Sequence, residues 1–304
     1  MSFKADVAIV TGAASGMGGI YARKLLEGGA KLGAFDMGEE GLKKLQSEFP
    51  EQVLPVLVDI SDADAVTAAV AQVREKWGFI DFVVNAAGIM PTAEITSDEP
   101  ARMRKIMRVN VEGTMNMVME TVPHMEKENR GTFIGFGSMA GYAPTPHFGA
   151  YCASKAAVNS FLEILDKELR HTNVGIHLVC PPMVNTPLVN QAMETSSPKS
   201  LQEALDRKML ADPNDIVRTI DKGVTKGTFQ IMPGLAKGLY YLRRFTPSFL
   251  WWLILKSEYG WGTNMHYQYA ANHNIHPTFV QTLSEDDRYD QFEAFKILEA
   301  LSQE

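Results

Sequence analysis

"TGAASGMG", residues 11–18, follows the apolar run "DVAIV" at residues 6–10 and decides the fold. Glycine is costly inside a helix or strand, so Gly12, Gly16 and Gly18 need a reason to cluster. A loop that closes a strand and opens a helix supplies one. There the backbone turns sharply, and a pyrophosphate can lie against bare peptide groups at the positive end of the helix. Ser15 and Met17 stand in the same loop. An acidic residue about 20 positions on, closing the second strand, would hold a ribose 2′-hydroxyl. Asp36 ends "KLGAFD" in that place, and Met37 follows it. The spacing Gly12-x-x-x-Gly16-x-Gly18 is not the commonest G-x-G-x-x-G fingerprint. Alone, it also fits a strand–helix turn without a ligand.

Outward from the loop, short apolar runs alternate with helical patterns. Val7–Val10, Lys31–Phe35, Val53–Val58, Phe79–Val84, Thr132–Gly137, Val174–Val179 and Phe229–Met232 read as strands. Several are almost wholly apolar, as strands covered on both faces should be. Residues 17–27, 62–76, 100–127, 151–170 and 213–226 read as helices between them. This alternation predicts an α/β protein with a doubly wound parallel sheet. We expect residues 1–233 to form that domain and residues 234–304 a mostly helical extension.

A second cluster gives the loop its meaning. "YCASK" sets Tyr151 and Lys155 at i, i+4 on one helix face. Upstream, "FGSMAG" puts Ser138 at the end of the fifth strand. Ligands in open α/β sheets bind at the carboxyl ends of the strands, so Ser138 and Tyr151 should meet there.

Together these motifs resemble the short-chain dehydrogenase/reductase family, over residues 5 to about 233. The residues that carry the likeness are Thr11, Gly12, Gly16 and Gly18; Asp36; Asp59 and Ile60 in "VDIS"; Asn85, Ala87 and Gly88 in "NAAG"; Asn110 in "RVNVEG"; and Ser138, Tyr151 and Lys155. The resemblance implies a Rossmann fold and a nicotinamide cofactor. It implies that Tyr151, Ser138, Lys155 and Asn110 are catalytic, with Asn110 holding a water that links Lys155 to solvent. A mid-helix Asn that bonds a backbone carbonyl is the plainer reading, and the two are compatible. The resemblance also implies cofactor contacts from Pro181, Val184 and Thr186, and from Tyr151 and Lys155 themselves. Two departures stand out. Ala86 replaces the family's second Asn, which affects the bracing of the central strand. Pro181-Pro182 replaces its Pro-Gly, so the backbone near the nicotinamide should shift slightly.

Tyrosine, with an ordinary pKa of ~10, is a poor base at neutral pH. We expect Lys155 and the oxidised nicotinamide to favour the phenolate, which then takes the proton of an alcohol as hydride leaves. NAD is the expected cofactor, because Asp36 would repel a 2′-phosphate and neither Met37 nor Ser15 offers a cation. Leu188 and Met183, near a lid over residues 187–211, and His147 in "PTPHFG" are the candidate substrate residues. Their surroundings suggest a hydrophobic secondary alcohol or ketone. The rival readings are an NADPH-type 3-oxoacyl thioester reductase and a non-catalytic NAD-binding regulator.

The net charge of -7 excludes a basic footprint for nucleic acid. The two cysteines, Cys152 and Cys180, read as buried thiols of a cytoplasmic protein. No signal peptide or membrane span is expected. His266, His273 and His276 lack the partners of a metal site, so no metal is expected. Residues 285–303 carry an apolar helical stripe suited to docking on the domain or a neighbour, and a homo-oligomer, dimer or tetramer, is expected. The stretch "RRFTPSFLWWLILK", residues 243–256, is open to two readings. It packs over the substrate cavity or a partner subunit, which we favour, or it makes a peripheral membrane contact.

Overall fold

The computed structural model describes residues 5–259. The strands are β1 (Val7–Thr11), β2 (Lys31–Asp36), β3 (Val53–Leu57), β4 (Phe82–Asn85), β5 (Gly131–Phe136), β6 (Val174–Val179) and β7 (Gln230–Ile231). They form one parallel sheet in the order β3-β2-β1-β4-β5-β6-β7. Each side chain along a strand points to the opposite face from its neighbour, and both faces are dry. In β1, Val7 and Ile9 enter one core layer, with Phe133 of β5, while Ala8 and Val10 enter the other, with Ile134 and Phe136. This is the Rossmann-like doubly wound architecture expected from the apolar runs.

The helices follow the strands: α1 (Gly16–Glu27), α2 (Glu39–Glu48), α3 (Ala63–Trp77), α4 (Pro100–Met107), α5 (Gly113–Lys127), α6 (Gly149–Glu168), α7 (Pro187–Thr195), α8 (Lys199–Asp206), α9 (Pro213–Thr225), α10 (Ala236–Phe245) and α11 (Pro247–Tyr259). On one face α1 packs on α9, and on the other α3 packs on α5. Three points differ from the sequence reading. The helix α2 was not singled out, because only Leu42 and Leu45 of its charged sequence are buried. The long helix expected over 100–127 is interrupted by one wide turn at Arg108–Glu112. The lid holds two helices, α7 and α8. The expected helix at 285–303 and His266, His273 and His276 lie outside the described residues. Among the described residues, no helix is long and apolar enough to cross a membrane.

The strand order reverses between β1 and β4, and a crevice opens where their carboxyl ends part. The glycine loop lies at that point. Gly12 has φ +69°, and a Cβ there would stand 3.1 Å from the Ala87 amide nitrogen. A Cβ on Gly18 would fall 2.2 Å from the Gly12 carbonyl oxygen. Gly18→Ala must therefore push the loop away from α1. The expected cost is about 2–3 kcal/mol in urea unfolding, with NADH binding lost in fluorescence titration.

Candidate active site

The loop leaves the first turn of α1 open. Ser15 occupies the N-cap position in extended backbone, but its side chain makes no capping bond. The N–H groups at the helix start are therefore available to an anion. At the end of β2, Asp36 faces the same space. Its Oδ2 accepts from the Ala14 N–H at 2.9 Å and its Oδ1 from the Gly38 N–H at 2.8 Å. A cavity of about 300 Å³ lies between them. Gly12, Ser15, Gly16, Met17 and Gly18 form its floor, with Asp36 and Met37 at one end. Asp59, Ile60, Ala87 and Gly88 form a wall, and Thr186 and, from the lid, Leu188 also line the cavity. Among the described residues, no Lys or Arg lines this cavity.

Asn85 does not reach that wall. It is buried beneath it, and its Oδ1 accepts from the Thr11 hydroxyl at 2.8 Å. Its Nδ2 donates to Thr114 Oγ1 at 3.0 Å, and the Thr114 hydroxyl donates to the Asn110 carbonyl at 2.7 Å. The Ala87 N–H in turn donates to Thr11 Oγ1 at 3.0 Å. A buried hydrogen-bonded chain thus runs from the glycine loop, under the sheet edge, to the wide turn that carries Asn110. Wide turns of this kind are rare and expose groups that a regular helix would hide. The Asn110 side chain grips one peptide edge. Its Oδ1 accepts from Ile89 N–H at 2.9 Å, and its Nδ2 donates to Ile89 O and to Ser154 Oγ, both at 3.0 Å.

Tyr151 and Lys155 project from one face of α6, as their spacing predicts. Lys155 is 5% exposed. Its Nζ donates to the Phe136 carbonyl at 2.7 Å and lies 5.8 Å from the Tyr151 ring centroid. Burial pulls the Lys155 pKa down to about 8. Burial also drives the Tyr151 pKa up to about 12, with the Ser138 hydroxyl pulling the other way. The lowering expected from Lys155 and the oxidised nicotinamide together concerns the cofactor-bound site; in the protein alone, desolvation of the phenol wins.

Ser138 is held by a residue that the sequence reading missed. Asn159 donates from Nδ2 to the Ser138 carbonyl at 3.1 Å, and its Oδ1 accepts from the Ser138 N–H at 3.4 Å. Gly137 and Gly141 leave room for it; a Cβ at Gly137 would stand 2.0 Å from Asn159 Oδ1. A signal was present, because Tyr151, Lys155 and Asn159 recur at i, i+4, i+8 along one stripe of α6.

Above Ser138 and Tyr151 lies a second cavity, of about 250 Å³. Pro181, Met183, Val184 and Phe148 line it, and Met17, Thr186 and Leu188 are shared with the first cavity. The Pro181 carbonyl accepts from the Met139 N–H at 3.1 Å. Residues 183–185 are pinned to Ala211, whose N–H donates to Met183 O and whose carbonyl accepts from Asn185 N–H, both at 3.0 Å. His147 is the exception among the expected substrate residues. It does not line this cavity; its backbone takes φ +68°, and its Nε2 lies 3.3 Å from Glu258 Oε1.

The model of the short chain dehydrogenase family matches residues 6–197. The chain belongs to the short-chain dehydrogenase/reductase family. It is 34% identical over 206 residues to an uncharacterised oxidoreductase of Staphylococcus saprophyticus, covering 65% of this chain and 88% of that one. It is 30% identical over 226 residues to the 3-oxoacyl-[acyl-carrier-protein] reductase FabG of Thermotoga maritima, covering 72% and 90%. Among solved structures it resembles a short-chain dehydrogenase/reductase from Burkholderia phymatum in complex with NAD. The TM-score is 0.72 at 26% identity, over 82% of this chain and 96% of that one. A 3-ketoacyl-(acyl-carrier-protein) reductase from Brucella melitensis, complexed with NADH, gives 0.69 at 26% identity, over 76% and 98%.

As a short-chain dehydrogenase/reductase, the chain is an oxidoreductase acting on CH–OH groups and binding a nicotinamide cofactor. Asn159 touches neither cavity and works by positioning Ser138. We predict that Asn159→Ala lowers kcat by about tenfold to a hundredfold. NADH affinity, read by fluorescence titration, stays at the wild-type value.

Proposed function

We propose that this enzyme interconverts a hydrophobic secondary alcohol and its ketone with NAD. One observation carries the reading: Tyr151 and Ser138 line an apolar cavity that shares an edge with the glycine-floored one. The shared edge of Met17, Thr186 and Leu188 supports placing a cofactor ring beside a substrate carbon.

The nicotinamide supplies the chemistry of hydride transfer. The protein's own task is the proton and the orientation. In oxidation, the Tyr151 phenolate takes the hydroxyl proton while the carbinol carbon loses its hydride; in reduction, the phenol returns that proton to the carbonyl oxygen. Ser138 donates a hydrogen bond to the same oxygen as charge builds on it. Lys155 holds positive charge beneath the Tyr151 ring and is the candidate to bond the cofactor's ribose. Asn110 fixes the Gly88–Ile89 edge against which that ribose would lie. Pro181, Val184 and Thr186 are the candidates for the carboxamide end. Asn85 takes part indirectly, by bracing the glycine loop.

NAD rather than NADP is supported by the charge of the first cavity. Asp36 and Asp59 line it, with no cation among the described residues to meet a 2′-phosphate. The apolar lining of the second cavity supports a lipophilic substrate. The extension contributes to that lining: Leu239 of α10 and Leu250 and Ile254 of α11 close its outer side. This favours the cavity-closing reading of residues 243–256 over lipid contact, although Phe249 and Leu253 on other sides of α11 are exposed. Exposed Met119 on α5 and Ile164 on α6 support a homo-oligomer, and free, buried Cys152 and Cys180 fit a cytoplasmic protein.

The second reading is 3-oxoacyl thioester reduction, supported by the likeness to the Thermotoga maritima reductase. The cover formed by α10 and α11 weighs against it, because a carrier-borne thioester needs an open mouth.

The test is kcat/KM with NAD and NADP across a panel of secondary alcohols and one 3-oxoacyl thioester. We expect NAD to be preferred by at least about a hundredfold, with Asp36→Ala narrowing the gap. Tyr151→Phe should cut turnover by at least about a thousandfold while NADH still binds. Parity with NADP, or near wild-type kcat in Tyr151→Phe, contradicts the reading.

A further inference from the structure

The helix α11 carries a stripe at i, i+4, i+8: Leu250, Ile254 and Glu258. Leu250 and Ile254 face the cavity above Tyr151. Glu258 continues the stripe but is a carboxylate, and it is only 6% exposed. A buried charge is expensive unless it is fully partnered. Its partners come from two other elements. Oε1 accepts from the Lys199 N–H and Oε2 from the Ser200 N–H, each at 2.9 Å. These are the first two residues of α8, and Pro198 at the N-cap position offers no side-chain acceptor of its own. The third partner is His147 Nε2, at 3.3 Å, in the loop that leads from Ser138 to Tyr151. The left-handed backbone of His147 is strained for a non-glycine residue, and such strain persists only where the surroundings impose it.

One carboxylate therefore ties together the extension, the lid and the loop before Tyr151. The lid matters to the cavity because Leu201 of α8 is fully buried in a cluster with Phe148, Tyr151 and Val189. Any drift of α8 changes the wall that a substrate meets. We infer that Glu258 is a positioning residue that latches α11 to the lid and so holds together the apolar wall that grips a bulky substrate. The latch explains why α11 keeps a carboxylate on its inward stripe, where a leucine would pack. It rests on the proposed reading of that cavity as the substrate's.

The experiment uses the full-length protein with cyclohexanol and decahydronaphthol as small and bulky secondary alcohols. Glu258→Ala should raise KM for decahydronaphthol about tenfold. KM for cyclohexanol, kcat for cyclohexanol and NADH affinity should change less than about twofold. Amide hydrogen exchange over residues 199–206 should quicken at the same time. Glu258→Gln, which keeps one acceptor, should fall between. A purely structural cap is separated by adding Pro198→Ser to Glu258→Ala, which gives α8 its own N-cap. The latch predicts that exchange protection returns while KM for decahydronaphthol stays high. Full recovery of that KM, or an unchanged ratio of the two KM values in Glu258→Ala, overturns the inference. Tyr151→Phe, assayed in parallel, separates the failures. If it is inactive while Glu258→Ala leaves the KM ratio alone, only the latch is lost.

Discussion

Lys155 is a cation taken almost wholly out of water, and the rest of the site is arranged around that fact. A buried ammonium group needs hydrogen-bond acceptors in place of its hydration shell. The Phe136 carbonyl, from the last residue of β5, is one. Gly88 leaves the space above it open; a Cβ there would come 3.6 Å from Nζ. The pKa near 8 that results means that the lysine keeps its proton at neutral pH by a small margin. Tyr151, one turn away, is pushed in the opposite sense by the same burial. Dry surroundings keep Tyr151 as the neutral phenol and bring Lys155 near to losing its proton, so charge arriving with a ligand acts strongly on both.

The supports of this pair come from distant parts of the chain. Asn159 fixes Ser138 from the next turn of α6. The line Thr11–Asn85–Thr114–Asn110 couples the glycine loop to the wide turn, and that turn grips the peptide edge following Gly88. Each of these polar side chains is buried and partnered, as an interior of low polarity requires. The lid, α10 and α11 add the apolar roof. The molecule thus has a polar floor that sets chemistry and an apolar cover that selects what enters.

Much of this was legible in the sequence because it is local. Strand runs, the glycine loop, Asp36 and the Tyr151–Lys155 spacing are patterns within one or two elements, and the seven strands appear where the apolar runs lie. The wide turn at 108–112 was hidden, since "RVNVEG" keeps a helical rhythm while one extra residue slips into the turn. The helix α2 was hidden by its charges, with too few apolar residues to mark a face. His147 was placed by its chain neighbours, yet its partner is Glu258, far away in sequence. Nothing near "KSEY" distinguishes a buried carboxylate from a solvated one; only the meeting of α8 and α11 does. The tyrosine pKa shows the same limit. In the protein alone burial raises it, and burial depends on every layer around α6 and not on the Tyr151–Lys155 spacing.

The most direct test of a desolvated Tyr151 as the proton-transfer group is kcat/KM against pH in both directions with the wild-type enzyme. Below the pKa of Tyr151 the phenol form dominates, so the base needed for oxidation is the scarce species and the acid needed for reduction is the abundant one. The prediction is that alcohol oxidation climbs with a slope of about one log unit per pH unit across the neutral-to-alkaline range, while ketone reduction stays level there. The same pH dependence in both directions, or oxidation that is already level at neutral pH, would contradict the account.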